Sequence, residues 1–196
     1  MTPKKIQPAL KAHGGIISLA QGKKAGLSHT SIIRYANAGI LERAAHGVYF
    51  MPDEIPDEMY IAQLRRPKAI FSHGTALFLH DLTDRDPIQY SVTVPTGYNT
   101  KKLLEDGFKV FSVNRALHGT GITQLQTKFG HEVNVYGLER AICDCVRSRN
   151  RMDAEIVSEA VKRYVRRVDK NLTSLMELAR GFGIAGILRN YMEVLL

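Results

Sequence analysis

The sequence predicts a mixed α+β protein, with an N-terminal winged helix-turn-helix and a C-terminal mixed α/β domain that ends in a helical segment. Two short capped helices followed directly by a β-hairpin predict the first part, and alternating strands and helices beyond residue 67 predict the second. The 196 residues, 44% of them hydrophobic, suffice for one large domain or two small ones. An acidic, proline-rich stretch at 52–57 and a short helix before Pro67 separate the predicted domains, 1–66 and 67–196.

Three short helices are predicted at the N-terminus, over residues 3–12, 19–25 and 30–38. Pro3 follows a cap at Thr2 and begins the first helix, while Ser18 and Ser28 cap the second and the third. Only about three residues connect the second and third helices, which is the connection length expected of a helix-turn-helix.

A β-hairpin is predicted directly after the third helix. Strand-like runs at 40–44 and 48–51 flank the short turn Ala45-His46-Gly47. A helix-turn-helix followed by a hairpin is the layout of a winged helix. In that layout the third helix lies in the major groove, and the hairpin contacts the sugar-phosphate backbone or the minor groove.

The formal net charge of +8 at pH 7 is unevenly distributed. Residues 1–51 contain seven lysines and arginines, whereas Glu42 is the only acidic residue of that segment. A positive surface attracts polyanions such as nucleic acid. Together with the winged-helix layout, the charge predicts DNA binding.

The candidate DNA contacts come from the end of the second helix, the third helix and the hairpin. Ile33, Ala36 and Ile40 are expected to face inward, and Tyr35 is expected to point outward. Arg34 is expected to bind a guanine or a phosphate, while short polar residues in the first turn reach base edges or phosphates. The full set is Lys23, Lys24, His29, Thr30, Ser31, Arg34, Tyr35, Arg43 and His46.

The C-terminal domain has no phosphate-binding loop, dinucleotide-binding glycine motif or nucleophile elbow. His73 and His80 are two helical turns apart, but they belong to an apolar helix and no third ligand follows at metal-binding spacing. We therefore expect neither an enzyme nor a bound metal or cofactor. Glu139, Arg140 and Asp144 are spaced for an ion-pair network that anchors a helix.

A second set of basic residues accompanies the strongest predicted helix, at 154–168, on the side opposite its apolar stripe. Two interpretations stay open for this set. It is either a solvated helix face, or a second nucleic-acid surface that extends the DNA contact or binds RNA. The set comprises Lys162, Arg163, Arg166, Arg167 and Lys170.

Several motifs, in the same order and over most of the chain, resemble the AbiEi-type antitoxins. The N-terminal ones are Gly26-Leu27-Ser28, Ile33-Arg34, Gly39-Ile40-Leu41-Glu42-Arg43 and Gly47-Val48-Tyr49. The C-terminal ones are Phe71-Ser72-His73-Gly74-Thr75-Ala76-Leu77, His80-Asp81-Leu82, Val94-Pro95 and Leu138-Glu139-Arg140-Ala141-Ile142-Cys143-Asp144.

This resemblance implies the antitoxin of a bacterial type IV toxin–antitoxin system, associated with abortive infection as a phage defence. It implies that the winged helix binds inverted repeats in the promoter of its own operon and represses transcription. It also implies that the C-terminal domain neutralises a nucleotidyltransferase-like toxin without forming a stable complex.

The N-terminus has lysines without an apolar signal-peptide core, and no stretch approaches the roughly 20 apolar residues of a membrane span. A cytoplasmic protein without a membrane partner is therefore expected. The alternative function is a winged-helix interaction module that binds RNA or protein, in which the basic charge is incidental.

Overall fold

The computed structural model describes residues 4–195, and over this range the chain is a mixed α+β protein with two β-sheets. It divides into two compact units. The first unit runs up to Pro67 and includes Gln126–Val133, and the second comprises Lys68–Leu125 and the chain from Asn134 onward. The predicted continuous domains, 1–66 and 67–196, did not assign Gln126–Val133 to the first unit. None of the helices in the described range combines the length and the apolarity needed to cross a membrane.

The N-terminal part of the first unit alternates short helices with short strands. Its elements are α1 (Gln7–Ala12), β1 (Ile16–Ser18), α2 (Leu19–Lys24), α3 (His29–Asn37), β2 (Glu42–Ala45), β3 (Val48–Phe50) and α4 (Glu58–Arg65). Strand β3 is central in its sheet and pairs antiparallel with both β1 and β2. The predicted second and third helices and the hairpin are confirmed, whereas β1 was not predicted. Thr2 and Pro3, which were predicted to begin the first helix, lie outside the described residues.

Local hydrogen bonds explain where α2 and α3 begin. Ser18 Oγ accepts a hydrogen bond from the Gln21 amide at 3.2 Å, and Gln21 Oε1 accepts one from the Ser18 amide at 2.9 Å. Ser28 Oγ accepts from the Ser31 amide at 3.1 Å. Between the helices, Gly26 has a φ of +77°, a left-handed conformation that glycine adopts at little cost. The conformation of the turn between α2 and α3 is therefore set by its own residues, Gly26 and Ser28.

The buried face of α3 is formed by Ile32 and Tyr35, which are 0% and 8% exposed. Both belong to the core of the first unit, together with Leu27 and Tyr49. The prediction that Ile33 faces inward and Tyr35 outward is wrong. Ile33 is 37% exposed, because the buried stripe follows the three-residue spacing from Ile32 to Tyr35 and position 33 is turned by about 100° from Ile32.

Helices α2 and α3 approach each other closely where Gly22 faces Ile32. Gly22 is buried, and a Cβ atom at this position would collide with Cδ1 of Ile32. The sequence therefore has glycine here because of the close approach of the two helices.

Gly22→Ala is expected to lower the free energy of unfolding by about 1 kcal/mol, because overpacking of the contact between α2 and α3 outweighs the gain of about 0.5–1 kcal/mol from replacing glycine by alanine within a helix. Ile32→Val removes the colliding Cδ1 atom and by itself costs about 0.5–1.5 kcal/mol. The double variant should therefore lose less stability than the two single variants together, as measured by urea denaturation. Strictly additive losses would contradict the steric explanation.

A buried polar cluster joins segment 126–133 to the rest of the first unit. His131 Nδ1 lies 2.9 Å from Asp57 Oδ2, and His131 Nε2 lies 3.2 Å from the carbonyl oxygen of Gly14. Thr127 Oγ1 donates a hydrogen bond to Asp57 Oδ2 at 2.5 Å. The other carboxylate oxygen of Asp57 caps α4, and the His131 ring stacks on Tyr60 at a centroid distance of 4.5 Å. Segment 126–133 thus supplies partners to Asp57, a residue that is only 1% exposed.

The second sheet and most of the remaining helices belong to the C-terminal part of the chain. The elements are β4 (Ile70–Phe71), α5 (His73–Leu79), β5 (Ser91–Pro95), α6 (Lys101–Glu105), β6 (Lys109–Val113), α7 (Arg115–His118), β7 (Ile122–Gln126), β8 (Glu132–Tyr136), α8 (Leu138–Arg147), a 3-10 turn (Arg149–Arg151), α9 (Ala154–Arg166), α10 (Leu172–Gly181) and α11 (Ala185–Leu195). The strand order is β6-β5-β4-β8-β7. Strand β4 is antiparallel to β5 and parallel to β8, and β5 is parallel to β6.

Helix α8 lies at the centre of the helical packing and contacts α5, α9 and α10. The predicted ion pair of this helix is confirmed, since Arg140 Nε lies 3.0 Å from Asp144 Oδ2 with both side chains fully buried. Glu139 has a different role. Its Oε1 accepts hydrogen bonds from Tyr164 Oη at 2.9 Å and from the Asn171 amide at 3.1 Å.

Candidate nucleic-acid interface

One face of α3 is exposed along its whole length. Its exposed residues lie three or four positions apart in two parallel rows, as expected for one side of a helix. His29, Ile33 and Asn37 form one row, each four positions from the next, and Thr30 and Arg34 form the other. Asn37 was not among the predicted contacts, although its spacing of four residues from Ile33 places it on the same face.

Two predicted contacts on α3 lie away from this exposed face. Tyr35 is buried in the core, so the prediction that it points toward a ligand is corrected. Ser31 is half-buried, and its hydroxyl lies 2.7 Å from Ser28 Oγ, the cap of the helix. Its hydroxyl is therefore already engaged in the helix cap.

Lys23 and Lys24 occupy the last turn of α2 and are exposed. Positive side chains are favoured there, because the carbonyl groups at a helix C-terminus carry partial negative charge. The turn that leads into α3 begins directly after them. The two lysines at the end of α2 are thus separated from the start of α3 only by this short turn.

The β2–β3 hairpin carries the two remaining predicted contacts, Arg43 in strand β2 and His46 in the turn, and both are exposed. Arg43 Nη2 lies 3.0 Å from His46 Nδ1, and Arg43 Nε donates to the carbonyl of Ala45 at 3.3 Å. A bulge between Arg43 and Ala45 shifts the register, and Gly47 turns the chain with a φ of +73°. The guanidinium group is therefore held by the turn itself.

The basic residues of positions 4–51 are all exposed. Within the part of the chain that the structure describes, none of them forms a salt bridge with an acidic side chain. Their charge is therefore not neutralised by neighbouring carboxylates. These residues are Lys4, Lys5, Lys11, Lys23, Lys24, Arg34 and Arg43.

The C-terminal basic set differs in this respect. Arg163 forms salt bridges with Glu159 and Asp84, and Arg167 forms one with Asp169 at 2.8 Å. These contacts raise the pKa of both arginines, with the hydrogen bonds to the carboxylates as the main cause. Two of the five predicted cations are therefore paired with acids.

The prediction that all five cations follow one helix is wrong, because α9 ends at Arg166 and Arg167 has an extended backbone. Arg167 turns back to Asp169, and Val168 is fully exposed instead of continuing the apolar stripe. Lys170 lies in the connection to α10 and donates to the carbonyl of Arg167 at 3.0 Å. Lys162 and Arg166 remain as exposed cations on the helix.

Comparison of the chain with known proteins identifies no family and finds a distant structural neighbour. No family model and no curated protein matches the chain. The crystal structure of the RV2827C protein from Mycobacterium tuberculosis is similar, with a TM-score of 0.47 and 11% sequence identity over 98% of this chain and 82% of that chain. Similarity of this degree does not transfer a function.

His73 and His80 form hydrogen bonds within the second unit. His73 is fully buried, with Nδ1 2.9 Å from Ser72 Oγ and Nε2 2.9 Å from Ser148 Oγ, and its ring stacks on Phe111. Burial, reinforced by four nearby cations, places the pKa of His73 well below its usual value. His80 Nε2 lies 2.9 Å from the carbonyl of Tyr136. In the described part of the chain, no three metal-ligating side chains cluster to form a cation site.

Proposed function

We propose that the first unit is a winged helix-turn-helix that binds double-stranded DNA. In this proposal α3 lies in the major groove, α2 supports it, and the β2–β3 turn is the wing. The observation that carries the proposal is the exposed face of α3, which is flanked by cations that form no salt bridge with an acidic side chain among residues 4–195.

The chemistry of that face suits a base-reading helix. Arg34 can donate two hydrogen bonds to a guanine, Asn37 can exchange hydrogen bonds with an adenine, and Thr30 can contact either kind of base. Phosphate neutralisation falls to Lys23 and Lys24, whose flexible ammonium groups act as point charges. Base contacts and phosphate contacts are thus carried by different residues.

The wing supplies a second type of contact. Arg43 is exposed on strand β2 beside a short turn and is held by hydrogen bonds to His46 and Ala45, so its guanidinium group is preorganised. An arginine presented in this way suits the narrow, negatively charged minor groove or the backbone beside it.

On the family resemblance of the sequence, we further propose that the chain is a transcriptional autorepressor and the antitoxin of a type IV toxin–antitoxin system. Its DNA partner would be inverted repeats in its own promoter, and its functional partner a nucleotidyltransferase-like toxin that it neutralises without a stable complex. We propose a cytoplasmic protein without enzymatic activity. Burial and nearby cations lower the pKa of His73, which argues against a role of this one residue as a general base.

The salt dependence of binding tests the proposed interface. Affinity for a duplex from the upstream region of the gene should fall with salt, with a log–log slope of about −0.9 for each neutralised phosphate. Lys23→Ala/Lys24→Ala should make this slope shallower by about two, because two phosphate contacts are lost. Fluorescence anisotropy at several salt concentrations measures both quantities.

Lys162→Ala/Arg166→Ala is the matched control, because it removes the same charge from exposed positions of the second unit. It should leave the slope unchanged. An unchanged slope for the Lys23/Lys24 variant, together with a shallower one for the control, would move the interface to α9. Preferred binding of single-stranded or double-stranded RNA over duplex DNA would favour the RNA-binding alternative instead.

A further inference from the structure

Ile33 is an apolar side chain in the middle of an otherwise polar helix face. It is 37% exposed, and its neighbours on that face, three or four positions away, are His29, Thr30 and Asn37. An isolated apolar residue surrounded by polar side chains is not a patch for docking a protein, since such patches are contiguous. On a helix that binds DNA, however, it has one specific counterpart.

That counterpart is the C5 methyl group of a pyrimidine. The major groove presents hydrogen-bond donors and acceptors at every base pair, and its apolar group is the methyl group of thymine. The minor groove presents no equivalent group. An apolar side chain between His29 and Asn37 therefore matches thymine and not unmodified cytosine.

We infer that Ile33 is a specificity-determining residue that packs against the C5 methyl group of a thymine in the major groove. This inference rests on the proposed DNA-binding function. Arg34, one position along the helix, then faces an adjacent base pair or phosphate, so that apolar and charged recognition act side by side.

The test begins with selection of tight-binding sequences from a randomised pool of duplexes by the full chain. Each thymine of the selected site is then replaced, one at a time, by deoxyuridine, which lacks only the methyl group. At one position the wild-type chain should bind about fourfold more weakly, the effect of exposing one methyl group. Ile33→Ala should bind the thymine and deoxyuridine duplexes equally at that position.

Ile55→Ala is the matched control, because Ile55 is 68% exposed in the same unit but lies outside α3. It should keep the fourfold preference for thymine. Replacing the critical thymine by cytosine should weaken binding. Replacing it by 5-methylcytosine should recover only the contribution of the methyl group. The comparison separates the effect of the C5 methyl group from the effect of the other groups of the base.

Two results would overturn the inference while leaving DNA binding intact. One is an Ile33→Ala variant that still prefers thymine over deoxyuridine. The other is salt-sensitive binding of the pool without enrichment of any sequence. Absence of duplex binding at low salt would instead remove both the inference and the proposed function.

Discussion

Asp144→Ala is expected to lower the free energy of unfolding by about 3–5 kcal/mol, because it leaves a buried cation without its counter-ion. The Arg140 side chain is fully buried, and its Nε donates to Asp144 Oδ2 at 3.0 Å. Arg147 Nη2 lies 3.3 Å from the other carboxylate oxygen. One carboxylate therefore balances two guanidinium groups in the packed interior of the second unit.

The remaining contacts of Arg140 cannot compensate for this loss. Its Nη1 donates to the carbonyls of Leu117 and Thr120, each at 2.7 Å, and its guanidinium group stacks on Tyr136 and Phe182. These groups hold Arg140 in place and prevent it from reaching solvent. The positive charge would stay buried after the carboxylate is removed.

Urea denaturation followed by far-UV circular dichroism measures the effect, since the chain has no tryptophan. The matched control is Arg85→Ala, which breaks ion pairs with Asp153 and Glu155 whose side chains are half exposed or more. It should cost less than about 1 kcal/mol. A second variant, Arg140→Met/Asp144→Leu, should recover part of the loss because it removes the two fully buried charges together, although Arg147 and the carbonyls of Leu117 and Thr120 still lose a partner. Equal losses for Asp144→Ala and Arg85→Ala would show that burial of the pair is not the cause.

Acidification is expected to destabilise the protein through His73, at up to about 1.4 kcal/mol per pH unit. Burial lowers the pKa of His73 well below 6.5, and Arg147, Arg151, Lys109 and Arg140 lower it further. The native state therefore keeps the imidazole neutral under conditions in which the unfolded chain binds a proton.

The direction of the effect follows from this difference in bound protons. Below about pH 6.5 the unfolded state holds one proton more than the native state, so the free energy of unfolding falls as the pH falls. The fall continues until the lowered pKa of the folded protein is reached. Above about pH 6.5 neither state binds the proton, and the contribution of His73 to the slope vanishes.

His73→Asn isolates this contribution. His73 has a φ of +48°, and asparagine is one of the few residues that tolerate this left-handed conformation. The variant should be less stable at neutral pH but should show a shallower fall between about pH 7 and pH 5 than the wild-type chain. Subtracting the stability–pH curve of the variant from that of the wild-type chain removes the contributions of other titrating groups. These include His80, whose pKa is also lowered by burial. Parallel curves would exclude His73 as the source.

Local signals predicted most of the elements. Ser18 and Ser28 cap α2 and α3, and Gly47 turns the β2–β3 hairpin, because each of these residues acts on its immediate neighbours. Within α8, Leu138–Arg147, the four-residue spacing of Arg140 and Asp144 predicted their ion pair, although not its burial. In these cases the structure depends on contacts within a few residues of sequence.

Other features depend on partners that are distant in sequence. Strand β1 is three residues long and is specified by its pairing with β3, where Ile16 faces Phe50. The predicted inward face of α3 was wrong because either Ile32 or Ile33 can begin an apolar stripe. Only packing against the surrounding core selects Ile32. Arg163 pairs with Asp84, which lies 79 positions away, so its neutralisation could not be predicted from the spacing of α9.

The candidate interface reflects the same division. The cations around α3 were predictable, because seven basic residues and one acid occupy the first 51 positions. The lack of acidic partners for these cations could not be predicted, since a carboxylate from any later segment could have neutralised them. Ile33 and Asn37 were missed for the same reason as Tyr35, because assignment of the exposed face requires the correct phase of the helix.

The polar cluster around Asp57 has a consequence for biosynthesis. Asp57 leaves the ribosome long before Thr127 and His131, its two side-chain partners from segment 126–133. When Pro67 has just left the ribosome, the carboxylate of Asp57 therefore still lacks the hydrogen-bond partners Thr127 and His131, which have not yet been synthesised. Completion of the first unit must wait until β4 to β7 have been synthesised, although its helices come first in the sequence.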